Sequence, residues 1–78
     1  MLEQQKIRIK MAAARVNAGL TQAEFGARLN VRAETVNNWE AGRTDPPVRA
    51  LTLLSELSGI PMDLIFVPYE FNKNESKG

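Results

Sequence analysis

A chain of 78 residues, 44% of them apolar, is long enough for one small domain, with a core so limited that a partner chain would add usefully to its stability. It holds no Cys and no His, which excludes disulfides, Cys/His metal sites, thiol nucleophiles and histidine acid–base chemistry. The formal net charge is only +1, yet residues 1–49 hold eight bases against five acids and residues 50–78 two bases against four acids, so the positive charge gathers in the first two thirds.

The N-terminal MLEQQKIRIK includes Glu3 and has no apolar run. It does not read as a signal peptide, and no apolar run approaches the length of a membrane span. A soluble cytoplasmic protein is the expectation.

Five helices are expected. The first spans Glu3 to Ala18: Ile7, Met11, Ala14 and Ala18 recur on one face, and Ile9, Ala13 and Val16 widen the stripe. Gly19 supplies a left-handed cap. Thr21 opens the second helix, which runs to Leu29. Thr21 and Glu24 make a T-x-x-E capping box, and Leu20 and Phe25 stand where a hydrophobic staple would place them. Asn30 marks a sharp turn, because a short polar side chain tolerates positive φ. The third helix covers Ala33 to Ala41 and closes on Gly42. Asp45 is the expected N-cap of the fourth helix, with Pro46 at its first position. Val48, Leu51, Leu54 and Leu57 form its apolar face, and Gly59 ends it. A short fifth helix is expected from Pro61 to Val67, with Met62, Ile65 and Phe66 turned inward and Pro68 as its stop. The domain thus covers residues 1–67. Residues 68–78 form a polar, partly disordered tail, in which alternation at Tyr69 and Phe71 leaves a short strand open.

Two short helices joined by three or four residues make a helix-turn-helix. Phe25 and Leu29 on the second helix, Val31 in the turn, and Val36 and Trp39 on the third would form the wedge between them. Gly26 fits a close approach of two helices, since Gly costs about 1 kcal/mol of helix propensity against Ala. On a helical wheel, Glu34, Asn38 and Ala41 lie opposite Val36 and Trp39, with Ala33 and Asn37 on the flank. Asn can bond adenine bidentately and Glu can accept from the cytosine amino group. Gln22, Arg32 and Arg43 stand around this face, and helix ends suit phosphates.

LTQAEFGARLNVRAETVNNWEAGRTDP, Leu20 to Pro46, resembles the Cro/CI-type (lambda-repressor-like, XRE) helix-turn-helix family, and VRALTLLSELSGIPMDLI resembles that family's fourth and fifth helices. Leu20-Thr21-Gln22, Trp39-Glu40, Gly42 and Pro46 carry the match. The resemblance implies an all-α, five-helix domain that binds operator DNA, usually as a two-fold dimer, and regulates transcription. Many members come from phages or mobile elements. By position it implies that Gln22 touches a phosphate or a base, that Ala33, Glu34, Asn37 and Asn38 face bases, and that Arg32 and Arg43 grip the backbone. It also implies an ion pair between Arg15 and Glu40. Asn30 replaces the usual turn glycine, Gly26 the usual alanine, and Arg32 the usual Ser or Thr cap. The last change removes an acceptor worth about 1 kcal/mol.

Simpler roles stand beside these. Trp39 reads as core rather than as a stacking platform. Lys6, Arg8 and Lys10 are either a solvated face or a phosphate-binding arm. Glu56 and Asp63 read as solvated charge. No catalytic constellation, metal site, cofactor or small-molecule ligand is indicated. The expected partners are double-stranded operator DNA and a second copy of the chain, docked through the fifth helix and the Tyr69–Phe71 segment. The competing reading is a protein-interaction module, antirepressor- or antitoxin-like, that keeps the fold with little DNA binding. The low net charge and acidic C-terminal part favour it.

Overall fold

Ile7-Arg8-Ile9-Lys10 alternates apolar and basic residues, the two-residue period of a strand. The computed structural model describes residues 8–67. In it Ile9–Lys10 is a strand, β1, and the first helix, α1, runs only over Met11–Asn17. The helix expected from Glu3 is therefore corrected at its start. Met11 and Ala14 are buried, but Ala13 is exposed and Val16 is 64% exposed, so neither widens the inner stripe.

The next helices are α2, Gln22–Leu29, and α3, Ala33–Ala41. The fourth, α4, covers Val48–Ser58 and has Pro47 as its N-cap. Asp45 is not the cap and Pro46 is not the first helical residue. A proline disfavours helical geometry in the residue before it, so Pro47 holds Pro46 out of the helix, and Pro46 is buried. Val48 is 71% exposed. The inner face of α4 is instead Ala50 and Leu54, both fully buried, with Leu51, Leu53 and Leu57 packed against the core beside them.

The expected fifth helix is replaced by one 3₁₀ turn, Met62–Leu64, and a strand, β2, Ile65–Phe66. β2 pairs in parallel with β1, Ile9 opposite Ile65 and Lys10 opposite Phe66. The β-branched and aromatic run Ile65-Phe66-Val67 suits a strand better than a helix. Ile65 and Val67 are buried, Phe66 is half-buried, and Met62 is 40% exposed. The described residues thus form four α-helices and a two-stranded parallel sheet rather than five helices. Tyr69–Phe71 lies outside them.

One core joins the elements. Phe25, Met11, Leu54 and Val36 are its largest fully buried side chains, with Leu29, Trp39, Ala50 and Ile65 around them. Burial of each large apolar side chain is worth about 1.5–3 kcal/mol. No polar or charged residue among the described ones is fully buried.

Three helices end in the same hydrogen-bond pattern. At the end of α2, Asn30 is left-handed (φ 62°), its N–H donates to Ala27 O at 3.2 Å, and Val31 N–H donates to Gly26 O at 2.9 Å. At the end of α3, Gly42 (φ 82°) donates to Trp39 O at 3.2 Å and Arg43 N–H to Asn38 O at 2.9 Å. Gly19 and Leu20 repeat the arrangement after α1, donating to Val16 O and Arg15 O. These are Schellman caps, which satisfy carbonyls the helix leaves open and turn the chain sharply.

Candidate nucleic-acid interface

Thr21 and Glu24 fix the start of α2. Glu24 N–H donates to Thr21 Oγ1 at 3.0 Å and Thr21 N–H to Glu24 Oε1 at 2.8 Å, a complete capping box. Leu20, just before the cap, packs against the core that contains Phe25. Asn30, Val31 and Arg32 then carry the chain from α2 to α3. Gly26 is needed against this turn rather than against the opposing helix. A Cβ there would lie 2.7 Å from Val31 O and 3.3 Å from Arg32 C, and both are backbone atoms that do not move independently of the turn.

Val36 and Trp39 anchor α3 in the core. That anchoring turns the other side outward: Glu34, Asn37 and Ala41 are exposed, and Ala33 and Asn38 are half-buried. Arg32 caps α3 without a side-chain hydrogen bond, while its carbonyl accepts from Thr35 N–H at 3.0 Å and Val36 N–H at 3.3 Å. Arg32 and Arg43 are exposed at the two ends of α3.

A hydrogen-bonded chain runs behind this face. Arg15 Nε donates to Glu40 Oε2 at 2.8 Å and Arg15 Nη2 to Glu40 Oε1 at 3.2 Å. Arg15 Nη1 also donates to Leu20 O at 2.9 Å. The two side chains are 13% and 8% exposed, so the pair is largely shielded from water. Gln22 Nε2 donates to Glu40 Oε1 at 3.0 Å and to Asn37 Oδ1 at 3.2 Å. At the other end of the helix, Arg43 Nη1 donates to Asn38 Oδ1 at 3.2 Å. Of the expected contact residues, these bonds bring Gln22, at the first position of α2, together with Asn37, and Arg43 together with Asn38. Both amide hydrogens of Gln22 are already engaged, so its side chain offers the surface only an acceptor oxygen.

Among the described residues no group of three or more carboxylates could hold a metal ion, and no helix is long and apolar enough to cross a membrane. Two ties are invisible from sequence spacing. Arg49 Nη1 donates to Leu29 O at 3.1 Å, closing the end of α2 from α4, and Asn17 Nδ2 donates to Ser58 O at 3.3 Å. Their partners lie 20 and 41 residues away, and no local pattern marks them.

A model of the helix-turn-helix family matches residues 3–65, the span that holds α2, the turn, α3 and the elements that brace them. The chain belongs to the Cro/CI-type helix-turn-helix family. Searches of curated proteins and of solved structures return no match. As a family member the protein binds double-stranded DNA and regulates transcription.

Proposed function

We propose that this Cro/CI-type protein is a repressor that recognises a palindromic operator as a two-fold homodimer and acts by occluding promoter DNA, in the bacterial cytoplasm and in the manner of a phage-type Cro. The observation that carries the reading is the outer face of α3: short side chains, with Glu34 and Asn37 exposed, Asn38 half-buried and an exposed arginine at each end. Short side chains let a helix lie deep in the major groove, and flanking cations fix its register on the phosphates. In this reading Ala33, Glu34, Asn37 and Asn38 face base edges, Arg32 and Arg43 hold phosphates, and Gln22 stands at the groove edge. Glu34 reads a cytosine amino group, the one base contact that offsets its repulsion from phosphates. The domain comprises residues 1–67 with 68–78 as a tail. The dimer surface takes in the exposed Met62 turn and the Tyr69–Phe71 segment.

A single short helix reads only a few base pairs, so specificity calls for two half-sites about 10 base pairs apart. Sedimentation of the protein on a selected duplex tests this directly. Two chains per palindrome support the reading, and one chain per site refutes the dimer. Binding should also weaken steeply with salt, because phosphate neutralisation releases counterions. The near-neutral charge favours a protein-interaction module as the second reading. Salt-insensitive, sequence-blind binding would move the assignment there.

A further inference from the structure

The C-terminal end of α2 is closed by bonds from two places. The turn supplies two of them: Val31 N–H donates to Gly26 O at 2.9 Å and Asn30 N–H to Ala27 O at 3.2 Å. Another comes from outside the helix-turn-helix. Arg49, the second residue of α4, donates through Nη1 to Leu29 O at 3.1 Å. A guanidinium carries five N–H donors, and this bond uses one of them. It ends on a neutral carbonyl, so the bond leaves the positive charge in place, unlike the bonds from Arg15 to the Glu40 carboxylate. Arg49 is an exposed residue. Its guanidinium is thus held at one point of the surface with donors and charge to spare.

That point is the turn that feeds α3. Leu29 stands three residues before Arg32, the N-cap of α3, so their Cα atoms are at most about 11 Å apart. The turn lies hard against α2, since a Cβ on Gly26 would meet Val31 O at 2.7 Å. Arg32 is exposed there with no side-chain hydrogen bond to the helix it caps, and Glu34 is the acid exposed in the first turn of α3. In a helix-turn-helix complex the start of the second helix lies against base edges and the first helix crosses the backbone. The turn between them is therefore brought close to phosphates. We propose that Arg49 is a phosphate-binding residue of the DNA interface, contributed by α4 and aimed by its bond to Leu29 O. This rests on the placement of α3 in the major groove proposed above. Together Arg32 and Arg49 set two cations against the Glu34 carboxylate at this end of α3. The contact carries no base information and adds one neutralised phosphate to those held by Arg32 and Arg43.

The test is a salt series of binding titrations with the full-length protein and its variants, on the duplex that the wild type selects from a random pool. Arg49→Met keeps most of the stem and removes the charge, and Arg49→Lys keeps the charge. The methionine variant should flatten the slope of log K against log salt by about 0.9, the share of one phosphate. Its binding deficit should therefore shrink about three- to fourfold between about 50 and 200 mM salt, with the selected sequence unchanged. The lysine variant should keep the wild-type slope. The proposal is overturned if the methionine variant keeps that slope, whatever happens to its affinity or melting temperature, because the bond to Leu29 O would then be only a tie between α4 and α2. It is overturned as well if lysine flattens the slope as far as methionine, or if the selected sequence changes. Should the methionine variant not fold, Arg49→Gln, which removes the charge and keeps an amide donor, carries the same comparison. A wild type that selects no duplex and shows no salt slope refutes operator recognition and the Arg49 contact with it, whereas a wild-type slope indifferent to Arg49 refutes the contact alone.

Discussion

Replacing Arg15 with methionine should remove a large part of this domain's stability. Arg15 donates three hydrogen bonds, two to Glu40 and one to the Leu20 carbonyl. Methionine keeps most of the aliphatic stem and removes all three. Exposed ion pairs are worth about 0–1 kcal/mol, and stripping one partner from a buried pair costs about 3–5 kcal/mol. With the two side chains 13% and 8% exposed, the pair lies near the buried limit, and the expected loss is about 2–4 kcal/mol. A small single domain has stability at the low end of about 5–15 kcal/mol, so the variant loses roughly half of it. At about 4–8 °C per kcal/mol for a domain of this size, melting should fall by about 8–32 °C. Urea unfolding followed by far-UV circular dichroism gives the free energies for Arg15→Met, Glu40→Met and the double variant. The double variant should be more stable than the sum of the single losses implies, with a coupling of about 1.5–3 kcal/mol. A loss below about 1 kcal/mol for Arg15→Met, together with coupling near zero, would refute the reasoning, because the pair would then be behaving as if it were in water.

Three further outcomes are expected. Asn30 is held at φ 62°, so Asn30→Ala should cost about 1–2 kcal/mol and Asn30→Gly almost nothing, a contrast that thermal melting of the two variants would show. Leu54 is fully buried, and Leu54→Ala should cost about 2–5 kcal/mol, a loss that urea titration would show as a lowered midpoint. Arg32→Ala and Arg43→Ala should each lower the salt slope of DNA binding by about one, and Arg32→Ala should leave base preference unchanged. Anisotropy titrations over a salt series would measure this, and an unaltered slope would take that arginine off the phosphate backbone.

The helix-turn-helix was legible because its signals are local. Thr21 and Glu24 are three residues apart, Asn30 and Gly42 sit at the turns they make, and Val36 and Trp39 share one helical face. Physical determinants of this kind act within one or two turns of chain, where sequence reading is strongest. The two ends of the domain were misread because their structure depends on each other. Ile9 joins a strand because Ile65 is there to pair with it, and nothing within ten residues of either announces the partner. The start of α4 is set by Pro47, whose constraint on Pro46 outweighs the fit of a proline to a first helical position. The roles of Arg15 and Glu40 came from family resemblance rather than from spacing. The engagement of Gln22 with both Glu40 and Asn37 is a fact of three-dimensional placement that no pattern in the chain encodes.

The pairing of β1 with β2 also orders events in time. Joining Ile9 to Ile65 closes a loop of about 56 residues, for which chain entropy alone asks about 3–4 kcal/mol. Two-residue strands cannot offset that unaided. The helices must already be assembled before the two ends meet, so the ladder forms last in folding and opens first under thermal fluctuation. Amide hydrogens at the strand pair should exchange with solvent well before those of α2 and α3. The edge through which the chain enters and leaves can thus loosen while the DNA-facing half keeps its shape.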